Sequence, residues 1–185
     1  MAQPDRVPGF IVEAGRAVGH DLPSLDGRES LVPWRTAIGG RGPFFVRITE
    51  ADPAVVAHVQ RLSRVGELWL ETPLLNVDDA LDLVVAGATR LVVPTANLDA
   101  DLLEAVGPSA LIAWDGLTPW ADVEAAALAH EAPVLVRQSP PPGAGCDVFL
   151  IEDGPAGLHL MRVASASAAA GAPAIPPPAA EGEAE

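Results

Sequence analysis

The sequence predicts an α/β fold in which parallel strands and their connecting helices form an incomplete or shortened barrel. From Pro43 onward, short apolar runs alternate with segments whose apolar residues recur at helical spacing. Strands joined by helices pair in parallel through right-handed crossovers. Two of the apolar runs end on polar residues, Thr95 and Asp115, where parallel barrels assemble their sites.

Seven strands are predicted, one fewer than a closed parallel barrel contains. They are GFIVEA at 9–14, FFVRI at 44–48, ELWLE at 67–71, RLVVPT at 90–95, ALIAWDG at 110–116, PVLVRQ at 133–138 and CDVFLIEDG at 146–154. The architecture is therefore a parallel (β/α) TIM-barrel-like fold that falls short of closure. A shortened barrel exposes sheet edges, which favours a homo- or hetero-oligomer.

Five helices are predicted between and after these strands. They are PAVVAHVQRLSRVG at 53–66, NVDDALDLVVAGATR at 76–90, DADLLEAVG at 99–107, PWADVEAAALAHEA at 119–132 and AGLHLMRVASASAAAG at 156–171. In the second, Asn76 is placed as the N-cap and Gly87 as the left-handed C-cap. The segment between Glu13 and Pro43 is rich in turn residues and predicts a loop with a small hairpin.

Composition sets the domain count and excludes several functions. Residues 1–172 are long enough for one barrel-like domain, and the Pro/Ala/acidic tail at 173–185 is typical of disorder. The net charge of −14 disfavours nucleic acid and anionic membranes as partners. All eleven basic residues are arginine, which excludes Schiff-base lysine chemistry and phosphate-loop nucleotide hydrolysis.

The cysteine and histidine residues predict neither a disulfide nor a metal site. Cys146 is the single cysteine, and the four histidines are scattered without ligand spacing. We expect Cys146 to be a buried, inert thiol, and His58 to lie on a helix surface. The apolar runs are too short for a signal peptide or a membrane span, so a cytoplasmic protein is expected. No metal and no cofactor are expected.

The order of elements from Glu67 to Gly116 resembles the histidine-biosynthesis ribotide isomerase family, and in particular its isomerase-related subgroup. The stretch DALDLVVAGATRLVVPTANL is similar to the helix and strand of that family. The resemblance implies that Asp115 is a catalytic acid or base at the end of the fifth strand. It also implies that Thr95 contacts a small phosphosugar-like substrate.

This sequence departs from that family at its phosphate-binding turns. The first catalytic acid would fall at Ile11, and Glu13 stands two residues further along the same side of the strand. Pro73 and Pro94 replace residues whose backbone amides would bind phosphate. Only Gly154 and Gly157, before the last predicted helix, remain as a possible second phosphate-binding turn.

Each candidate site residue also has a structural interpretation. Asp115 precedes Gly116, and this dipeptide favours a turn by itself, whereas Thr95 can instead cap a helix or turn. Arg47 and Arg137 stand at strand ends where they would bind an anion. Alternatively, they form ion pairs with Glu13, Glu50, Glu71 or Glu152. Trp69 and Trp114 are expected to pack against helices.

Two functional hypotheses follow. The first is an isomerase-like or lyase-like enzyme acting on a small phosphosugar-like substrate, with Asp115 and Glu13 as acids and bases. The resemblance suggests cofactor biosynthesis, linked to tetrahydromethanopterin, or amino-acid biosynthesis. The second is a non-catalytic subunit that docks onto another protein through an open barrel edge and through loops carrying Trp34 and Trp120 beside proline.

Overall fold

The computed structural model describes residues 5–73, 76–97, 100–154 and 157–164. Nine strands span β1 Arg6–Glu13, β2 Arg16–Ala17, β3 Pro43–Ile48, β4 Glu67–Glu71, β5 Ala88–Pro94, β6 Ala110–Ala113, β7 Val134–Val136, β8 Val148–Gly154 and β9 Gly157–Ala164. Five α-helices span α1 Val32–Ala37, α2 Val55–Leu62, α3 Val77–Ala86, α4 Ala100–Val106 and α5 Trp120–Ala129. Single 3₁₀ turns cover Thr95–Asn97 and Gly107–Ser109.

The strands form one closed, mixed barrel. Their order is β1-β3-β4-β5-β6-β7-β8-β9, with β2 attached to β1 as a short antiparallel hairpin. Strands from β1 to β8 in this order pair in parallel, whereas β9 runs antiparallel to β8. On its other side β9 pairs antiparallel with β1, through Val7 opposite Leu160. The barrel therefore has eight strands and closes on itself.

The predicted parallel TIM-barrel-like fold is wrong in two respects. The segment expected to be the closing helix is β9, an antiparallel strand that supplies the eighth position of the barrel. Its physical signal is period-two alternation, since Leu158 and Leu160 are buried while His159 and Met161 are more exposed. The helix-forming residues of this segment suggested the other interpretation, and pairing with two neighbouring strands overrides that preference.

The helices are few and short, which is the second departure from a helix-rich α/β barrel. The longest, α3 and α5, have ten residues each, and within the described residues no helix joins β7 to β8. Closure by β9 also removes the open sheet edge on which the docking hypothesis depended. The barrel that was predicted to be incomplete is thus closed, and the helices outside it are few and short.

One predicted helix is confirmed with its caps. In α3, Asn76 accepts a hydrogen bond from the Asp79 amide at 2.9 Å through its side-chain oxygen. Gly87 ends the helix with φ +116°, a left-handed conformation that glycine adopts without steric penalty. These local signals determine the helix ends irrespective of the fold around them.

The apolar core has two layers separated by the barrel wall. Inside the barrel, Trp69 meets Phe149 edge to face, with ring centroids 5.1 Å apart. Trp69 was expected to pack against helices, and its place inside the barrel corrects that prediction. The outer layer lies between the wall and the helices and includes Trp34, which is fully buried and donates to the Pro23 carbonyl at 2.9 Å. Trp34 is therefore a core residue and not a contact for a partner.

No helix within the described residues is long and apolar enough to cross a membrane. The tail at 173–185 and the last residues of the predicted 1–172 domain lie outside the described residues.

Candidate functional site

A cavity of about 720 Å³ opens at the carboxyl ends of the parallel strands. Its walls come from the ends of β3 to β7 and from the residues that directly follow them. This is the end at which parallel barrels place their ligands, because each strand delivers a side chain to the same rim. We call this cavity the barrel mouth.

Three charged side chains form a chain of ion pairs across the barrel mouth, with one carboxylate between two arginines. Arg47 Nε donates to Glu71 Oε2 at 2.7 Å, and Arg137 Nη2 donates to Glu71 Oε1 at 2.6 Å. The parallel register places Arg47 of β3 directly beside Glu71 of β4, so the first pair follows from strand pairing. Arg137 follows β7, so the second pair spans the mouth. The ion-pair interpretation of both arginines is confirmed, with Glu71 as their shared partner.

The Arg47 guanidinium keeps one nitrogen without a partner. Its side chain is 16% exposed, and its Nη2 is buried without a hydrogen-bond partner among the described residues. Arg137 is 55% exposed, so much of its guanidinium faces the cavity or solvent. A buried cationic donor without a partner is unfavourable until a ligand or water supplies an acceptor.

Asp115 lines the barrel mouth, and its carboxylate is engaged in a turn. Oδ1 accepts from the amides of Leu117 and Thr118 at 2.8 Å each, and Oδ2 accepts from the Thr118 hydroxyl at 3.2 Å. These hydrogen bonds, with Thr118 first and Leu117 second, hold the pKa of Asp115 below its ordinary value. Gly116, at φ +79°, completes the turn. Asp115 is therefore ionised at neutral pH, and both of its carboxylate oxygens accept hydrogen bonds within the turn.

Thr95 supports the same turn and does not line the cavity. It is 6% exposed, and its hydroxyl oxygen accepts a hydrogen bond from the Asp115 amide at 3.1 Å. The structure therefore brings Thr95 and Asp115 together, as their positions after neighbouring strands β5 and β6 predict. In this contact the Thr95 side chain holds the backbone of Asp115.

Glu13 lies apart from Asp115. It is the last residue of β1, is exposed, and stands opposite Arg16 in the β1–β2 hairpin. It is not among the residues that line the barrel mouth. The acid that lines the mouth with Asp115 is Glu71, the last residue of β4. Its strand-end position is a signal that Glu13 shares, so this signal alone does not distinguish the two acids.

The phosphate-binding turns expected from the family resemblance are absent in the described residues. Pro73 and Pro94 line the mouth and carry no amide hydrogen. Gly154 and Gly157 face each other in the β8–β9 ladder, so they do not precede a helix. The possibility of a second phosphate-binding turn there is excluded, because the segment that would have to be a helix is strand β9.

A second polar cluster, which sequence reasoning missed, lies under α2. His58 is only 2% exposed, with Nε2 2.7 Å from Asp26 Oδ1 and Nδ1 2.9 Å from Asp52 Oδ2. His58 is thus a buried residue between two carboxylates, and its prediction as a helix-surface residue is wrong. The loop before α1 supplies Asp26 and covers the side chain, a packing that helical spacing alone does not reveal.

Among the described residues there is neither a cluster of metal ligands nor a reactive thiol. No group of three or more histidine, cysteine or acidic side chains in the described ranges could hold a metal ion. Burial raises the pKa of the Cys146 thiol to about 11, so it is protonated at neutral pH and a poor nucleophile. This confirms the expected buried, inert thiol.

No model of a known protein family matches the chain, and a search of curated proteins finds no significant match. The resemblance to the ribotide isomerases therefore has no support beyond the residues that suggested it, and the parallel barrel that it implies is not the observed fold.

Proposed function

We propose that this protein binds a small anionic molecule in the barrel mouth, with Arg47 and Arg137 as the groups that contact the anion. The observation that supports the proposal is the Arg47–Glu71–Arg137 arrangement at the carboxyl end of the barrel, where both arginines line the cavity and Arg137 is 55% exposed. Glu71 holds both guanidinium groups in place and offsets part of their positive charge. The phosphosugar-like substrate predicted from the sequence falls within this class.

Catalysis in the mouth is a separate proposal that depends on a proton-transfer group. Asp115 lies in the cavity wall, and its lowered pKa keeps the carboxyl ionised at neutral pH, which makes it a weak base and leaves it no proton to donate. Its three hydrogen bonds favour the turn-forming alternative over the catalytic one. Ligand binding without turnover is the function that this geometry supports best.

The cellular setting and the oligomeric state remain predictions. We propose a cytoplasmic protein, because its single cysteine is buried and forms no disulfide. The main argument for a homo- or hetero-oligomer was an open sheet edge, and that argument no longer applies because the barrel edge is paired.

The proposal is tested by titrating three anions, glucose 6-phosphate, benzoate and phenyl phosphate, into the wild-type protein, Arg137→Gln and Arg41→Gln. Arg41 is an exposed arginine that precedes β3, at the opposite end of the barrel, so its variant has the same change in net charge. We expect at least one anion to bind to the wild type and to Arg41→Gln, and to bind about tenfold more weakly to Arg137→Gln. Equal affinities in the two variants, or no binding of any anion, would contradict the proposal.

A further inference from the structure

We infer that the ligand of the barrel mouth is a carboxylic acid with an apolar body, and that phosphate esters are discriminated against. This inference rests on the proposed function and narrows its ligand class. Three features of the mouth support it: the supply of backbone amides, the charges around the two arginines and the apolar wall beside them.

The backbone amides that phosphate groups need are missing or occupied. Sites for phosphate in barrels and loops hold it with several N–H groups converging on its oxygens. At the ends of β4 and β5 the mouth presents Pro73 and Pro94, which have no N–H. After β6, the amides of Asp115, Leu117 and Thr118 already donate to acceptors within the chain. Of the described residues that line the mouth, only Arg47 and Arg137 carry a positive charge, so their guanidinium groups are the donors best suited to an anion.

Those guanidinium donors already bind a carboxylate. Glu71 accepts from both arginines, at 2.7 Å from Arg47 Nε and 2.6 Å from Arg137 Nη2. A planar carboxylate matches the planar arrangement of N–H groups on arginine. The exposed parts of Arg137 and Arg47, which both line the cavity, provide donors for a second carboxylate, supplied by the ligand.

The charges in the mouth favour one negative charge on the ligand over two. Arg47 and Arg137 are balanced by Glu71 and Asp115, all four of which line the cavity. The chain carries a net charge of −14, so the field beyond the mouth also repels anions. A phosphate monoester carries close to two negative charges at neutral pH, whereas a carboxylate carries one. The repulsion energy is therefore about twice as large for the phosphate monoester.

The wall beside the arginines is apolar and suits a hydrocarbon body. Val92, Pro94, Ala113 and Trp114 line the cavity between the ends of β5 and β6. Trp114 is held by its own contacts, since its indole N–H donates to the Thr118 carbonyl at 2.8 Å and its ring packs edge to face on Trp120. A sugar with many hydroxyl groups would find few partners on this wall.

The decisive experiment compares benzoate with phenyl phosphate, which share the apolar ring and differ in the anion, by calorimetric or NMR titration. Benzyl alcohol serves as the uncharged control. We expect benzoate to bind at least about tenfold more tightly than phenyl phosphate and benzyl alcohol, and to lose about tenfold in affinity in Arg137→Gln and not in Arg41→Gln.

The outcomes separate this inference from the proposed function. If phenyl phosphate or glucose 6-phosphate binds as tightly as benzoate or more tightly, and depends on Arg137, the mouth binds anions and the carboxylate inference is overturned. If no probe shows an Arg137-dependent affinity, both are overturned. If benzyl alcohol binds as well as benzoate, the apolar wall alone accounts for binding, and the carboxylate inference fails.

Discussion

His58 of α2 lies 2.7 Å from Asp26, measured from Nε2 to Oδ1, and this contact joins the loop before α1 to the helix. Asp52 meets the other ring nitrogen at 2.9 Å, and the charge of Arg16 also acts on Asp26. The hydrogen bond from His58 is the main reason that the pKa of Asp26 lies below its ordinary value of 3.8.

The Asp26 contact predicts how stability depends on acid. A carboxyl whose pKa is lower in the folded state stabilises the fold above its unfolded pKa, and that contribution disappears as the pH falls through the folded pKa. We therefore expect Asp26→Asn to lower the melting temperature at neutral pH, and the difference from wild type to shrink below about pH 4. Thermal melts across this range measure it. Asp21→Asn, an exposed residue of the same loop, is the control, and an effect of equal size there would refute the prediction.

Glu71→Gln is predicted to destabilise the protein. The amide cannot neutralise Arg47 and Arg137, so two guanidinium groups face each other across the mouth. Because Arg137 is more than half exposed, we expect a loss of about 1–2 kcal/mol in the free energy of unfolding, below the range for a fully buried pair. Urea denaturation measures the loss. Glu104→Gln, on the exposed side of α4, should change little, and a Glu71 variant equal to it would show the ion pairs to be without net effect.

Asp115 is predicted to act through its turn. An asparagine oxygen can still accept hydrogen bonds from the Leu117 and Thr118 amides, whereas alanine cannot. Asp115→Asn should therefore melt close to the wild-type temperature, and Asp115→Ala should melt clearly lower. Differential scanning calorimetry of both variants checks this. Similar melting temperatures for the two variants would mean that the turn does not depend on this side chain.

Leu160→Ala tests whether β9 closes the barrel. Leu160 is fully buried inside the barrel on a strand that pairs with both β8 and β1. Its truncation should reduce the free energy of unfolding by about 2–5 kcal/mol. Leu128→Ala makes the same change on α5, where the side chain is 56% exposed, and should have an effect within about 0.5 kcal/mol. Equal losses at the two positions would argue against the closed barrel.

The order of strands and their polar ends was predictable, and the closure of the barrel was not. The apolar content of runs such as ELWLE and ALIAWDG predicts buried strands, and the corresponding strands β4 and β6 are observed. For the last segment, LHLMRVA contains good helix formers, and its alternation covers only a few residues. The segment is a strand because β8 and β1 supply hydrogen-bonding partners on both of its edges.

The candidate site shows the same division. The positions of Arg47, Arg137 and Asp115 at strand ends placed them near one rim, and all three line the barrel mouth. The sequence could not select Glu71 over Glu13 as their acidic partner, because both follow apolar strands. That selection depends on register, which sets Arg47 beside Glu71 and leaves Glu13 in an exposed hairpin.

The local features of this protein can be read from short stretches of its sequence: the capped helix α3, the buried strands, and the turn at Asp115 and Gly116. These depend on residues within a few positions of one another. Three features become visible in the folded chain alone: β9 closes a mixed barrel, His58 is buried between two carboxylates, and two arginines share Glu71. These relationships join residues far apart in the chain, so strand pairing and packing determine them where local propensity does not.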